Sequence, residues 1–91
     1  MRILQSQTFK REAKRLHAQQ KAALDDAVRF VVSNPGAGET KVGDLAGVRV
    51  YKFRIHNNLT LLAYELDEEQ DALILLALGS HENFYRDLKR S

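Results

Sequence analysis

Residues 48–64, VRVYKFRIHNNLTLLAY, contain two runs with the alternating, β-branched and aromatic character of strands. The runs flank Asn57-Asn58, and asparagine tolerates the positive φ that a two-residue hairpin loop requires. The segment is therefore predicted to form a β-hairpin with Asn57-Asn58 as its turn. In that register Phe53 lies opposite Leu62.

The two faces of the first hairpin strand differ in chemistry. Side chains alternate between the faces of a strand, so Tyr51 and Phe53 share one face while Lys52, Arg54 and His56 share the other. The aromatic face suits a hydrophobic core. The second face is predicted to begin an anion-binding site; the alternative is a half-solvated strand whose outer face is merely basic.

The composition indicates one small domain spanning residues 1–91. A chain of 91 residues can bury a single core but not a deep enclosed pocket. The sequence has no cysteine, which excludes a disulfide scaffold and a thiolate metal site. No apolar run approaches the ~20 residues that span a bilayer, and the N-terminus does not resemble a signal peptide. A cytoplasmic protein without membrane contact is expected.

Charge is distributed unevenly along the chain. Residues 1–54 contain 11 Lys or Arg and 5 Asp or Glu, a net charge of +6, whereas residues 55–91 contain 3 and 7, a net charge of −4. So basic a first half indicates either a polyanion or an acidic protein as a partner, and the charge alone does not distinguish them.

Two helices are predicted before the hairpin. Apolar residues recur at helical spacing over residues 7–18 and again over residues 20–31, and an Asn-Pro-Gly sequence ends the second run. Ser6 or Thr8 is predicted to cap the first helix. A break around residues 18–20 would make the pair an antiparallel helical hairpin; a single long helix is the alternative, because no Gly or Pro stands there.

Three lysines outside the hairpin are further candidates for contact with a polyanion. Lys10 and Lys14 fall on one flank of the first helix; the alternative is that they belong to an ordinary solvated helix face. Lys41 lies in the loop 35–47, which is rich in glycine, holds the only proline, and is long for so small a domain. Such loops are often functional, but this one could simply connect the helices to the sheet.

The remaining segments complete the order of elements. Residues 2–5 are predicted to be a short strand and residues 72–78 a strand buried on both faces, which Gly79-Ser80 ends. Ser80 is predicted to cap a last helix. The predicted fold class is α+β, in the order β-α-α-β-β-β-α, with a helical hairpin packed on a mainly antiparallel four-stranded sheet.

Four segments carry a resemblance to a known family: DLAG at 44–47, YKFR at 51–54, LLAY at 61–64 and GSHENFY at 79–85. In this order they resemble the RelE/ParE superfamily of toxins from bacterial type II toxin–antitoxin pairs, over essentially the whole chain. The resemblance implies a RelE/ParE-like fold and a cognate antitoxin as partner. The basic first half adds the expectation that this antitoxin carries an acidic, amphipathic segment.

The family implies two functional classes. RelE-like members cut mRNA, usually on the ribosome, without a metal or other cofactor, whereas ParE-like members inhibit DNA gyrase and lack the nuclease residues. The positions that match the family nucleases are Lys52 and Arg54 on the second strand, and His81 and Tyr85 near the C-terminus. Many members also carry an arginine on the third strand, where this chain has Leu61.

The chemistry of these residue types agrees with the nuclease class. Cleavage of RNA through its own 2′-hydroxyl needs a base, an acid and cations that stabilise the phosphorane charge. All three roles can be supplied without a metal by His81, Tyr85, Lys52, Arg54 and His56. If Ser80 caps the last helix, His81 and Tyr85 stand at i and i+4 on one helix face.

The favoured hypothesis is therefore a toxin that acts as a metal-independent, ribosome-dependent mRNA endonuclease and halts translation. Its expected catalytic residues are His81, Tyr85, Arg54 and Lys52, and its expected RNA contacts are Lys10, Lys14, Lys41 and His56. The alternatives are a gyrase inhibitor without nuclease activity and a non-catalytic module that binds the antitoxin.

Overall fold

The computed structural model describes residues 1–80 of the chain. Its elements, in chain order, are strand β1 (Arg2–Gln5), helices α1 (Gln7–Lys14) and α2 (Ala18–Ser33), and strands β2 (Glu39–Thr40), β3 (Arg49–Ile55), β4 (Asn58–Asp67) and β5 (Ala72–Ser80). Two short 3-10 turns, Pro35–Ala37 and Gly43–Leu45, interrupt the connection between α2 and β3. The predicted C-terminal helix lies outside the described residues.

The strands form one mostly antiparallel sheet in the order β1-β5-β4-β3-β2. Within residues 1–80 only β1 and β5 pair in parallel: the two helices carry the chain from β1 to the opposite edge of the sheet, and the antiparallel strands β3, β4 and β5 lead back to β1. The α+β prediction is confirmed, but within residues 1–80 the sheet has five strands where four were expected. The additional strand is β2, because Glu39 and Thr40 pair with Val50 and Arg49 within the segment predicted to be a loop.

The hairpin register differs from the prediction. The last pair is Ile55 with Asn58, so the turn is His56-Asn57 rather than Asn57-Asn58, and Phe53 lies opposite Thr60. His56 takes the positive φ, 56°, and histidine is among the few non-glycine residues that visit this region. The shift moves every partner by two residues, which leaves each side chain on its predicted face.

The helix boundaries also differ from the prediction. Ser6 caps α1, as one of the two alternatives expected, and its hydroxyl accepts a hydrogen bond from the Phe9 amide at 3.0 Å. Helix α1 ends at Lys14, earlier than predicted, and α2 begins at Ala18, where a break was expected. His17 is the residue before α2, and its amide donates to Gln20 Oε1 at 2.8 Å, which compensates for the absence of Gly or Pro at this break.

Both faces of the sheet bury apolar residues. The helices cover one face, where the buried core is Phe9, Leu24, Val31, Leu62, Tyr64, Leu73, Leu75 and Leu78. A smaller cluster on the opposite face contains Val48, Val50, Leu61, Ala63 and Ala77, with Leu45 packed against it. Neighbouring residues of β4 thus enter different cores, which is the period-2 alternation of a strand buried on both sides.

Helix α1 satisfies backbone groups of β5 beyond the end of β1. The pairing of β1 with β5 stops at Leu75, and a bulge between Ala63 and Tyr64 shifts the pairing of β4 with β5 at this level. The Ser6 hydroxyl donates to the Leu76 carbonyl at 2.6 Å, and the Leu78 amide donates to the Glu12 carboxylate at 2.9 Å. Side chains of α1 therefore take over where a strand partner is missing.

Candidate functional site

Lys52 and Arg54 project from the face of β3 that is turned away from the helices. Tyr51 and Phe53 pack against the helix-side core, and the alternation of the strand puts both cations on the other side. Both side chains are exposed, and two residues along a strand separate their Cα atoms by about 6.7 Å. The pair can therefore approach one phosphate, or two successive ones, from the same direction.

The hairpin turn extends this cationic edge but does not continue the strand pattern. His56 is exposed and lies in the turn, so it does not stand in line with Lys52 and Arg54 as predicted. The Arg54 guanidinium donates to the Asn57 carbonyl at 3.1 Å. This bond holds the guanidinium against the turn and directs its remaining donors outward.

Lys41 lies on the same face as Lys52. Its amide donates to the Val48 carbonyl at 3.0 Å, which continues the β2–β3 pairing by one residue. Its ammonium group lies 3.6 Å from the Glu39 carboxylate, and Glu39 is paired with Val50 on this face. The structure thus puts Lys41 on the same face as Lys52, but opposite Val48 and so about 13 Å farther along β3.

The loop that carries Lys41 is anchored by Tyr64 from inside the core. The Tyr64 hydroxyl donates to the Pro35 carbonyl at 2.7 Å and accepts from the Gly38 amide at 2.9 Å. A Cβ on Gly38 would lie 2.7 Å from that hydroxyl oxygen, so only glycine allows this approach. Arg49 adds a bond to the Gly38 carbonyl at 3.1 Å.

Sequence reasoning did not identify this anchoring role. Nothing local in the sequence indicates that the hydroxyl of Tyr64 reaches a residue 26 positions earlier. The available signal was the combination of a buried tyrosine, whose hydroxyl needs a partner, with a long glycine-rich loop.

Lys10 and Lys14 belong to a different surface. They line a cavity of about 830 Å3 between α1, α2 and β1, together with Lys21 and Arg29 on its rim. Ile3, Phe9, Ala13, Leu24, Val28 and Leu75 form its apolar part. We call this cavity the helix groove. It opens on the helix side of the sheet, so the structure does not bring Lys10 and Lys14 together with Lys52 and Arg54.

The end of β5 lies close to the cationic strand. Gly79 pairs with Leu61, and Leu61 pairs with Lys52, which puts Gly79 two strands, or about 10 Å, from Lys52. Gly79 and Ser80 belong to β5 and do not end it as predicted, because Ser80 pairs with Thr60. His81 and Tyr85 lie outside the described residues.

No group of three or more potential metal-ligating side chains converges within residues 1–80. The helices in this part of the chain are not long and apolar enough to cross a membrane.

The comparison with protein families decides the classification. Residues 3–89 match the model of the ParE-like toxin of type II bacterial toxin–antitoxin systems. The chain belongs to this family. A search for similar sequences among curated proteins finds no significant match.

Solved structures of similar fold are those of RelE toxins. A mutant of the E. coli toxin RelE in the free state superposes with a TM-score of 0.74 at 15% identity, over 98% of this chain and 90% of that one. The intact E. coli RelBE toxin–antitoxin complex gives a TM-score of 0.72 at 16% identity, over 89% of this chain and 96% of that one. The RelBE complex of Mycobacterium tuberculosis gives a TM-score of 0.69 at 21% identity, over 88% of this chain and 96% of that one. These values establish that this ParE-like toxin shares the RelE fold.

In this toxin the side chain at position 61 is part of the apolar packing and adds no charge to the cationic face. Leu61 is fully buried on β4, directly opposite Lys52. The cations of this face therefore stand on β3 and at its edge, while β4 contributes the buried apolar residues Leu61 and Ala63 to the same face.

Proposed function

We propose that this toxin is a metal-independent endoribonuclease that cleaves mRNA on the ribosome and thereby halts translation in the cytoplasm. The observation that carries the proposal is the pair of exposed cations, Lys52 and Arg54, on one face of β3. Arginine can bind a phosphate through two N–H groups, and lysine supplies a point charge beside it. Such a pair can stabilise the charge that develops on a phosphorane.

The proposed reaction uses the substrate's own 2′-hydroxyl. This oxygen attacks the adjacent phosphorus while a base removes its proton, and the bond to the departing 5′-oxygen breaks as an acid protonates that oxygen. The products are a 2′,3′-cyclic phosphate and a 5′-hydroxyl. We assign the base to His81, and to Tyr85 the orientation of the phosphate or the donation of the proton.

The other cations are proposed to bind RNA around the cleaved bond. Lys41 lies on the same face of the sheet near the start of β3 and His56 in the turn at its other end, so they would contact phosphates on either side of the one held by Lys52 and Arg54. Lys10 and Lys14 line the helix groove on the other side of the sheet, so they would contact a different part of the ribosome-bound RNA.

The partner is proposed to be an antitoxin with an acidic, amphipathic segment. The similar RelE toxins whose structures are known with an antitoxin support the existence of such a partner. The net charge of +6 over residues 1–54 supports its acidity.

Inhibition of DNA gyrase is the second candidate function. One observation favours it: β4 carries the buried Leu61, whereas many nucleases of the superfamily have an arginine on that strand. A chain that lacks this cation has less charge to offer to a phosphorane.

One experiment separates the two candidates. Purified toxin is incubated with ribosomes programmed with an mRNA, and with the same mRNA carrying a 2′-deoxynucleotide at the cleaved position. We expect cleavage of the first and none of the second, and loss of cleavage in Lys52→Ala and Arg54→Ala but not in Arg15→Ala, an exposed cation at the end of α1 that does not line the helix groove. Supercoiling by gyrase is measured in parallel with the same preparations. Intact mRNA together with inhibited supercoiling would overturn the nuclease proposal.

Expression in cells tests the same distinction. Pulse labelling after induction should show an early arrest of protein synthesis, which co-expression of the cognate antitoxin prevents. An early arrest of DNA synthesis with continued translation would favour the gyrase function, and harmless expression at high level would contradict both.

A further inference from the structure

The outer edge of β3 is open over most of its length. The partner strand β2 has two residues, and its first residue, Glu39, pairs with Val50, so within residues 1–80 no strand pairs with positions 51–55 on that side. Strand edges without a partner offer their N–H and C=O groups to another chain. Five residues of open edge correspond to about 16 Å.

The backbone groups that face outward belong to the two cationic residues. The Val48 carbonyl accepts from Lys41 on the β2 side, and backbone groups point to alternate sides along an antiparallel strand. Lys52 and Arg54 therefore direct both their N–H and their C=O away from β4, and each can exchange two hydrogen bonds with an added strand.

The helix-side flank of this edge is aromatic. Tyr51 stacks on Phe30 of α2 with ring centroids 5.3 Å apart, and on Phe53 at 6.1 Å. Phe30 remains 47% exposed. Half-exposed stacked rings beside unpaired backbone groups form a surface that an additional strand would cover.

The charges of Lys52 and Arg54 determine what kind of strand can be added to the β3 edge. An added strand would place alternate side chains next to Lys52 and Arg54, and the intervening side chains next to Tyr51 and Phe53. Glu39, the acidic residue at the start of this edge, is already paired with Lys41 at 3.6 Å. A second copy of the chain joined here about a twofold axis would set Lys52 and Arg54 of one copy against the same cations of the other, which like-charge repulsion disfavours.

We propose that the β3 edge binds an extended segment of a partner protein by strand addition, and that this segment alternates acidic with apolar residues. The acidic side chains lie beside Lys52 and Arg54, and the apolar ones lie on the rings of Phe30, Tyr51 and Phe53. Main-chain bonds provide affinity and the alternating side chains provide specificity. The identification of the partner as the antitoxin rests on the proposed function; the binding itself does not.

The test uses synthetic peptides and the full-length toxin. The probe is an eight-residue peptide that alternates glutamate with valine, and the control peptide has the same composition with its glutamates clustered. Binding is followed by fluorescence anisotropy, and hydrogen exchange of the Lys52 and Arg54 amides by NMR. We expect the alternating peptide to bind at least about tenfold more tightly than the clustered one, and to protect both amides.

Matched variants separate backbone pairing from charge. Lys52→Ala removes the charge and keeps the N–H, whereas Lys52→Pro also removes the outward N–H, which an edge strand tolerates. We expect Lys52→Pro to bind the alternating peptide about tenfold more weakly than Lys52→Ala does. The double variant Lys52→Glu/Arg54→Glu should prefer a lysine–valine peptide instead.

Three results would overturn the proposal. Equal binding by the Pro and Ala variants would mean attraction by charge alone, as for RNA. Unprotected amides in the bound state would place the peptide elsewhere. A concentration-dependent dimer of the parent chain that Lys52→Pro abolishes would assign the edge to a second copy. None of these measurements uses RNA cleavage, so this inference and the nuclease proposal can fail independently.

Discussion

The two faces of the sheet bury apolar residues in different ways. The helix side packs long side chains from α1 and α2 against β4 and β5, whereas the opposite face has a smaller cluster of mostly short side chains, against which Leu45 packs. Cations flank both, but they line an apolar cavity on the helix side and stand side by side on β3 on the other. Two cations on the same face of one strand, such as Lys52 and Arg54, are the arrangement that can hold a phosphate in one position.

The largest expected effect separates the two groups of cations. The double variant Lys52→Ala/Arg54→Ala should reduce kcat for ribosome-dependent cleavage by about 10³-fold, because donors aimed at developing charge act in the transition state. The matched double variant Lys10→Ala/Lys14→Ala should leave kcat unchanged and raise KM by less than about tenfold, since lost phosphate contacts weaken binding uniformly. Equal losses of kcat in both would show that the helix groove belongs to the catalytic site.

A matched pair on β4 compares the two cores. Leu61 and Leu62 are neighbours, both fully buried, and they point into opposite cores. Leu62→Ala should lower the free energy of unfolding by about 3–4 kcal/mol and Leu61→Ala by about 2 kcal/mol, since a cavity among short side chains and a loop collapses more easily. Urea denaturation measures both, and a larger loss for Leu61→Ala would reverse the ranking of the two cores.

A smaller loss of stability is expected when the Tyr64 hydroxyl, which anchors the loop 35–47, is removed. Tyr64→Phe removes the hydroxyl that bonds Pro35 and Gly38, and it should cost about 2 kcal/mol because the buried Gly38 amide and the half-buried Pro35 carbonyl lose their partner. Amide exchange should accelerate in residues 35–47 and not in α1. If the loop amides keep their exchange rates, the hydroxyl does not anchor the loop.

The smallest effect concerns the start of α1. Ser6→Ala should cost about 1 kcal/mol, because Ser6 both caps the helix and donates to Leu76. Thr8→Ala should change the free energy of unfolding by less than about 0.5 kcal/mol, since Ser6 already occupies the cap. Thermal unfolding of the two variants provides the comparison, and a larger loss for Thr8→Ala would contradict the assignment of the cap.

Local sequence patterns by themselves determined much of this protein. The alternation in YKFR assigned Tyr51 and Phe53 to the core side and Lys52 and Arg54 to the other, and the helical periodicity with Ser6 as cap predicted the helical hairpin. The family resemblance also followed from the sequence, and the family match over residues 3–89 confirms it. The strand alternation and the helix cap depend only on residues a few positions apart in the sequence, because side-chain direction and capping bonds are set over that distance.

Only the tertiary structure decided the features that depend on distant pairing. Alternation fixes the face of a residue but not a register shift of two, so the turn at His56-Asn57 and the pairing of Phe53 with Thr60 were not predictable from it. The two-residue β2 exists because β3 offers it an edge, and Tyr64 holds Gly38 across 26 positions. The separation of Lys10 and Lys14 from Lys52 follows from which side of the sheet the helices cover. That choice is made by packing of the whole chain, because local propensity carries no information about it.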